Sequence, residues 1–183
     1  MIHNRVPTRV VSVLAVLASI FGNRIAAADE PSPRDGLSAC EIVRMSCGEL
    51  EALYRQGTAA PLPDGKLRGT AIVNPGSTLG PAASRSARLM WQGKVINGGC
   101  ETASNKFFGV RSVRAKMSTG ESWLDSKPAV VLDYSETSLV YANVRDEIRQ
   151  VAPGLYLGMM YKRNCDCPQF RMFFLLEAPS CCE

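Results

Sequence analysis

The only histidine of this 183-residue chain is His3, and all seven cysteines lie beyond residue 39. If the first residues are removed, Ser-His-Asp catalysis, Cys-His catalysis and His-ligated metal sites are removed with them. Any general acid or base then has to be Asp, Glu, Lys, Tyr or Cys. The densest polar stretch runs from Trp123 to Ser138 and continues into Tyr141 and Arg145-Asp146-Glu147. Asp125, Asp133 and Asp146 are its candidate acid-base carboxylates. The same stretch also reads as turns, in which Asp125-Ser126 and Ser135 to Ser138 bond their own backbone. Gly76-Ser-Thr-Leu-Gly80 is too sparse for a phosphate-binding loop and follows Pro75.

The cysteines form a second chemical set: Cys40 and Cys47, Cys100, Cys165 and Cys167 in Asn164-Cys-Asp-Cys-Pro168, and Cys181-Cys182. All seven are disulfide candidates, and an odd number leaves at least one thiol free or intermolecular. On one continuous helix Cys40 and Cys47 stand about 10.5 Å apart along the axis, too far to bridge each other. A Cys-x-Cys with a Cys-Cys could also hold a soft metal as a thiol site, although the spacing fits no finger pattern.

The compartment follows from the N-terminus. Arg5 and Arg9 precede an apolar run from Val10 to Phe21, and Ala26-Ala27-Ala28 supplies small residues before Asp29. This is the signal-peptide pattern over 1–28, too short in its apolar part for a membrane span. Asp29 to Gly36 reads as a disordered linker, and 37–183 as a single domain. The expected location is secreted or periplasmic, with no stable membrane insertion after cleavage. Taking the leader's three arginines from 21 basic residues leaves 18 against 17 acids, net +1. That balance gives no electrostatic case for nucleic acid.

The elements that must position these groups are one helix and a series of short strands. Ser38 with Glu41 makes a capping box, and Gly57 is placed to end the helix. Cys40, Val43, Cys47, Leu50 and Tyr54 share one face of it. After Pro61-Leu-Pro-Asp-Gly65 the spacing predicts strands at Arg68–Asn74, Met90–Ile96, Phe107–Met117, Ala129–Tyr134, Asn143–Val151, Leu155–Lys162 and Phe170–Glu177. About 7–9 strands at this spacing predict a mainly β fold, an antiparallel sandwich or barrel, with the N-terminal helix packed outside. In Val144–Val151 one face carries Arg145, Glu147 and Arg149, and the other Val144, Asp146, Ile148 and Gln150. An acid among apolar neighbours suits a partly wet lumen, or a strand end where it meets an arginine or backbone N–H groups. Leu155–Tyr161 and Phe170–Leu176 are apolar on both faces, so the helix is expected to cover them.

WQGKVIN (91–97), SWLDSKPAVVLDYSETS (122–138) and VRDEIRQVAPGLYLGMMY (144–161) resemble a family of small, functionally uncharacterised bacterial proteins. Its members carry a Trp-x-Gly-Lys segment, a WLDGKPAIVLDYS-like segment and an RDEIREVAPGLYLG-like segment in this order. The resemblance spans about Gly65 to Leu176 and places the family pattern on Trp91, Lys94, Trp123, Asp125, Asp133, Tyr134, Arg145, Asp146 and Tyr156. It implies a lipocalin-like barrel that binds a small molecule or lipid. Cys165, Cys167, Cys181 and Cys182 fall outside the recurring segments.

The leading reading is therefore a binding module for an apolar or amphiphilic small molecule, with no cofactor. Trp91, Trp123, Tyr156, Met159 and Met172 are expected to line its cavity. Asp133, Tyr134 and Arg145 or Asp146 are expected to orient a polar head. The alternatives are an enzyme using Asp/Glu acid-base chemistry in the cavity, or a thiol or metal protein built on the cysteines.

Overall fold

The computed structural model describes residues 36–164 and 167–179. The expected signal peptide, almost all of the linker, and Cys165, Cys181 and Cys182 lie outside the described residues. Eight strands close into an antiparallel barrel in the order of the chain, each bonded to the next and the last to the first. They are β1 (Gly65–Ile72), β2 (Trp91–Asn97), β3 (Thr102–Phe107), β4 (Val110–Glu121), β5 (Pro128–Asp133), β6 (Val144–Ala152), β7 (Leu155–Lys162) and β8 (Gln169–Glu177). Closure comes from five β1–β8 pairs, Arg68 with Glu177 through Ile72 with Phe173. A closed barrel leaves no edge strand to protect.

The expected single helix is two. α1 (Ala39–Ile42) and α2 (Cys47–Gln56) are separated by a turn, and each begins at its own capping box, Ser38 with Glu41 and Ser46 with Glu49. Ser46 competes for the backbone where a continuous helix would run, and Glu49 completes the second start. The helical face also shifts. Ile42, Leu50, Leu53 and Tyr54 are buried, whereas Cys40 and Cys47 are exposed. The Cys40–Cys47 separation argued from a continuous helix therefore does not apply. The four described cysteines, Cys40, Cys47, Cys100 and Cys167, are free thiols, which corrects the disulfide expectation for them.

A third helix, α3 (Gly80–Ala87), packs outside β1. Its sequence, GPAASRSA, has no apolar stripe that periodicity would detect. The expected strand Phe107–Met117 spans a hairpin: β3 ends at Phe107, Phe108 and Gly109 turn with positive φ, and β4 begins at Val110.

Strand alternation divides the apolar residues into two clusters. The inner one holds Leu67, Ile96, Leu132, Ile148, Tyr156, Phe174 and Leu176. The outer one places Ile42, Leu50, Leu53 and Tyr54 over Leu157, Met159, Tyr161, Phe173 and Leu175. The helices therefore cover β7 and β8, as two-sided apolarity requires. The lumen is filled at the end where β6 turns into β7, and hollow at the other.

Candidate functional site: a half-filled lumen with a charged floor

The hollow half is a cavity of about 240 Å³, walled mostly by Trp91, Phe107, Tyr141, Met160, Met172 and Phe174. Its polar groups are Lys94, Asn105, Tyr134 and Asp146. These four come from β2, β3, the residue after β5, and β6, so closure of the barrel is what brings them together.

The Lys94 ammonium, 2% exposed, spends all three N–H donors inside the protein. It donates to Asp146 Oδ2 at 2.8 Å, to Asn105 Oδ1 at 2.9 Å and to the Tyr134 hydroxyl at 2.9 Å. Tyr134 in turn donates to Asp146 Oδ2 at 2.9 Å and accepts from Asn105 Nδ2 at 3.0 Å. The Trp91 indole N–H donates to Asn105 Oδ1 at 3.0 Å. Around the ammonium stand the rings of Phe174, Trp91 and Tyr134, with centroids at 5.2, 5.6 and 5.6 Å. Aromatic faces offset part of the desolvation cost of the cation. Burial, reinforced by the Asp146 carboxylate, holds the Tyr134 hydroxyl well above its ordinary pKa. It therefore stays protonated and keeps donating to Asp146.

A bulge explains how Trp91 and Lys94 both point inward although they are three residues apart. Pairing between β2 and β3 shifts register between Trp91 and Lys94, and Gly93 there has φ +115. The extra residue resets the two-residue alternation. Gly69 faces Gly93 so closely that a Cβ on it would strike the Gly93 backbone and the Trp91 ring.

The structure divides the expected site residues by strand parity. Trp91, Tyr134, Asp146 and Met172 line the cavity. Tyr156 faces the lumen but belongs to the filled half. Trp123, Asp133, Arg145 and Met159 are outside the barrel, which corrects their assignment to the lumen. Met159 and Met160 alternate, and Met160 took the inward place; Met159 lies under the helices. Asp133 alternates with Leu132 and Tyr134, and it pairs outside with Arg163 at 2.6 Å. Asp146 is not at a strand end near an arginine; its partner is Lys94.

The outward row of β6 forms a separate network, sealed by the β4–β5 connection. Glu147, fully buried, accepts from Ser122 Oγ at 2.6 Å, from the Trp123 N–H at 3.0 Å and from Arg145 Nε at 3.0 Å. Arg149 clasps Asp125 with two bonds of 2.9 and 2.7 Å and donates to the carbonyls of Pro128 and Lys127. The Arg145 guanidinium lies 4.3 Å from the centre of the Trp123 ring. The hydrogen bonds from Arg149 hold the Asp125 carboxyl below its ordinary pKa. Burial raises that of Asp133, but bonds from Ser135 and the charge of Arg163 outweigh it and leave it lowered. Two of the three carboxylates weighed for acid-base work are thus ion-paired outside the barrel. Among the described residues no group of three or more His, Cys, Asp or Glu is placed to hold a metal.

Sequence reasoning reached Lys94 only through the family resemblance, and missed Asn105. The signal for Lys94 was Gly93, whose bulge returns a lysine to the inner face. Asn105 had no signal while β3 was unrecognised.

The fold and site define an eight-stranded up-and-down barrel that is plugged at one end and hollow over an ion pair at the other. No family model and no curated protein matches the sequence. A solved structure, described only as a protein from Thermomonospora curvata, is similar, with 17% identity and a TM-score of 0.50. The match covers 75% of this chain and 90% of that one. At this identity the likeness shows the fold alone.

Proposed function

We propose that the barrel binds a small, predominantly apolar molecule in its hollow half, one ring or a short chain in size, with a hydrogen-bond-donating polar group at the floor. The observation that supports this most directly is the cavity itself: about 240 Å³ of space against aromatic and thioether walls, with its few polar groups gathered in one place. An apolar cavity of about 150 Å³ admits benzene, so this one suits a substituted ring or a short amphiphile and is too small for a long-chain fatty acid.

The unspent valences of the floor describe the head group. Lys94 and Tyr134 have no free donor: Lys94 donates to Asp146, Asn105 and the Tyr134 hydroxyl, and Tyr134 donates to Asp146, while the Asn105 amide gives one N–H to Tyr134 and keeps the other. Asp146 binds both partners through Oδ2, and no hydrogen bond reaches its Oδ1 among the described residues. An alcohol, phenol or amide N–H meets that oxygen. A carboxylate finds the cation already neutralised and brings an uncompensated charge into an apolar space.

The test uses a Trp123→Phe variant, so that Trp91 is the only remaining tryptophan. Its fluorescence is titrated with single-ring phenols and short-chain alcohols, and with the carboxylic acids of matching size. A saturable change with the hydroxyl compounds and little with the acids is expected. No response across the panel from folded protein overturns the reading. Secretion or a periplasmic location is part of the same proposal and rests on the N-terminal pattern; detection of the mature chain outside the cytoplasm, starting near Asp29, tests it.

A further inference from the structure

The outer wall carries an open groove of about 1320 Å³, distant in chemistry from the lumen. Its floor is the outward face of β1 to β3, with Lys66, Arg68, Gln92 and Lys106. The last turn of α3, with Arg85 and Arg88, forms one wall, and Pro153-Gly154-Leu155 with Ala178 and Pro179 the other. Five cations thus face the groove, and Glu177 is its one acid among the described residues. Glu177 is committed to Arg68 through two bonds, at 3.0 and 2.5 Å. Lys66, Arg85, Arg88 and Lys106 form no ion pair among the described residues.

This segregation is not what the composition predicts. A chain with 21 basic and 17 acidic residues can intersperse them, and mixed signs are the usual surface. Here the cations repel one another: the Lys66 ammonium beside Lys106 pulls the Lys106 pKa below its ordinary value. Arg85 and Arg88, three apart on one helix, project to the same side. Guanidinium groups bind phosphate oxygens in pairs, and lysines add point charges.

We propose that this groove is a binding site for an oligophosphate, a ligand with two or more linked phosphate groups lying between the α3 arginines and the Lys66–Lys106 pair. One phosphate cannot neutralise both sides, so affinity rises with the number of linked groups. The site is independent of the lumen, and its occupant needs no apolar part.

Isothermal titration of the whole protein with tripolyphosphate, and with orthophosphate at matched ionic strength, tests this. Tripolyphosphate is expected to bind at least tenfold tighter. The double variants Lys66→Glu/Lys106→Glu and Arg85→Glu/Arg88→Glu should each lose at least tenfold. Lys116→Glu/Arg171→Glu, which makes the same charge change on β4 and β8 away from the groove, should leave affinity within about twofold. Lys66, Arg85, Lys116 and Arg171 are exposed, and Arg88 and Lys106 are half-buried. As a check that needs no variant, tripolyphosphate should protect Lys66 and Lys106 from acetylation while Lys116 still reacts. No binding, equal affinity for the two phosphates, or an equal loss in the Lys116/Arg171 control overturns the proposal. Hydroxyl-compound binding read by Trp91 is unaffected by any of these outcomes.

Discussion

Replacing Asp146 with Asn tests the lumen most directly. The side chains of Lys94 and Asp146 are 2% and 6% exposed, and their charged atoms are 2.8 Å apart. Removing one charge of a buried pair leaves the other uncompensated, at a cost of about 3–5 kcal/mol. For a chain of this size a loss of 1 kcal/mol lowers Tm by about 2–4 °C, so the expected drop is roughly 6–20 °C. Lys94→Met should cost a similar amount, because it strands the carboxylate. The double variant Lys94→Met/Asp146→Leu removes both charges and keeps the volume. Tyr134 then loses its acceptor on Asp146 but can turn to Asn105 Oδ1, which Lys94 has vacated. The double should therefore cost only about 1–3 kcal/mol, the range for a disturbed buried hydrogen bond. Urea unfolding of the wild type, Lys94→Met, Asp146→Leu and the double variant, with the slope compared to check two-state behaviour, gives the coupling. Additive losses, or single variants within about 1 kcal/mol of the wild type, refute the claim that this pair is buried and mutually dependent.

Gly158→Ala should lower stability by about 1–3 kcal/mol, the range for an overpacked core. Its new Cβ would run into the Phe174 ring, whose edge contact with Trp91 at 5.6 Å should break and change the Trp91 emission. Asp125 gives the pH dependence. Arg149 holds its folded pKa below the ordinary 3.8, so its contribution is fully present above 3.8 and is lost as pH falls through the folded value. Melts from neutral pH to pH ~2 should show that acid loss, and Asp125→Asn should weaken it while costing about 3–5 kcal/mol at neutral pH by stranding Arg149. Alkylation of the native protein followed by mass spectrometry should label Cys40, Cys47, Cys100 and Cys167 without reductant; a disulfide at any of them counts against the structure.

The barrel was legible because two-residue alternation is strong wherever one strand face meets an apolar interior. In β6 the inward row Val144, Asp146 and Ile148 can be read directly, and so can its charged opposite. The two-sided apolarity of β7 and β8 required a cover, and α1 and α2 supply it. What could not be read has local causes. Ser46-Cys-Gly-Glu49 lies inside a 3.6-residue pattern, so periodicity runs across a helix break that only its capping pair reveals. Parity within a strand does not say which of Met159 or Met160 faces the lumen when both rows are apolar. The outward Arg145, Glu147 and Arg149 resemble a solvated row, but the loop 122–127 folds over them, and a loop's path leaves no periodic trace.

The position of the cavity follows from where the large rings are allowed to lie. Gly69 leaves room for the Trp91 ring, and Gly158 for that of Phe174. Both rings can then turn toward the Lys94 ammonium. Side chains at those two positions would displace the rings toward the axis, where they would fill the hollow half as Tyr156 and Leu176 fill the other. The charged floor acts in the same direction. A cluster whose ammonium and hydroxyl donors are all spent binds no ligand through a free charge, so selectivity is left to wall shape, to one open carboxylate oxygen and to the second N–H of the Asn105 amide. The same glycines that make the space therefore set what can occupy it, and Gly158, where the nearest atoms to an added Cβ are those of the Phe174 ring, is the one whose enlargement should abolish lumen binding before it unfolds the barrel.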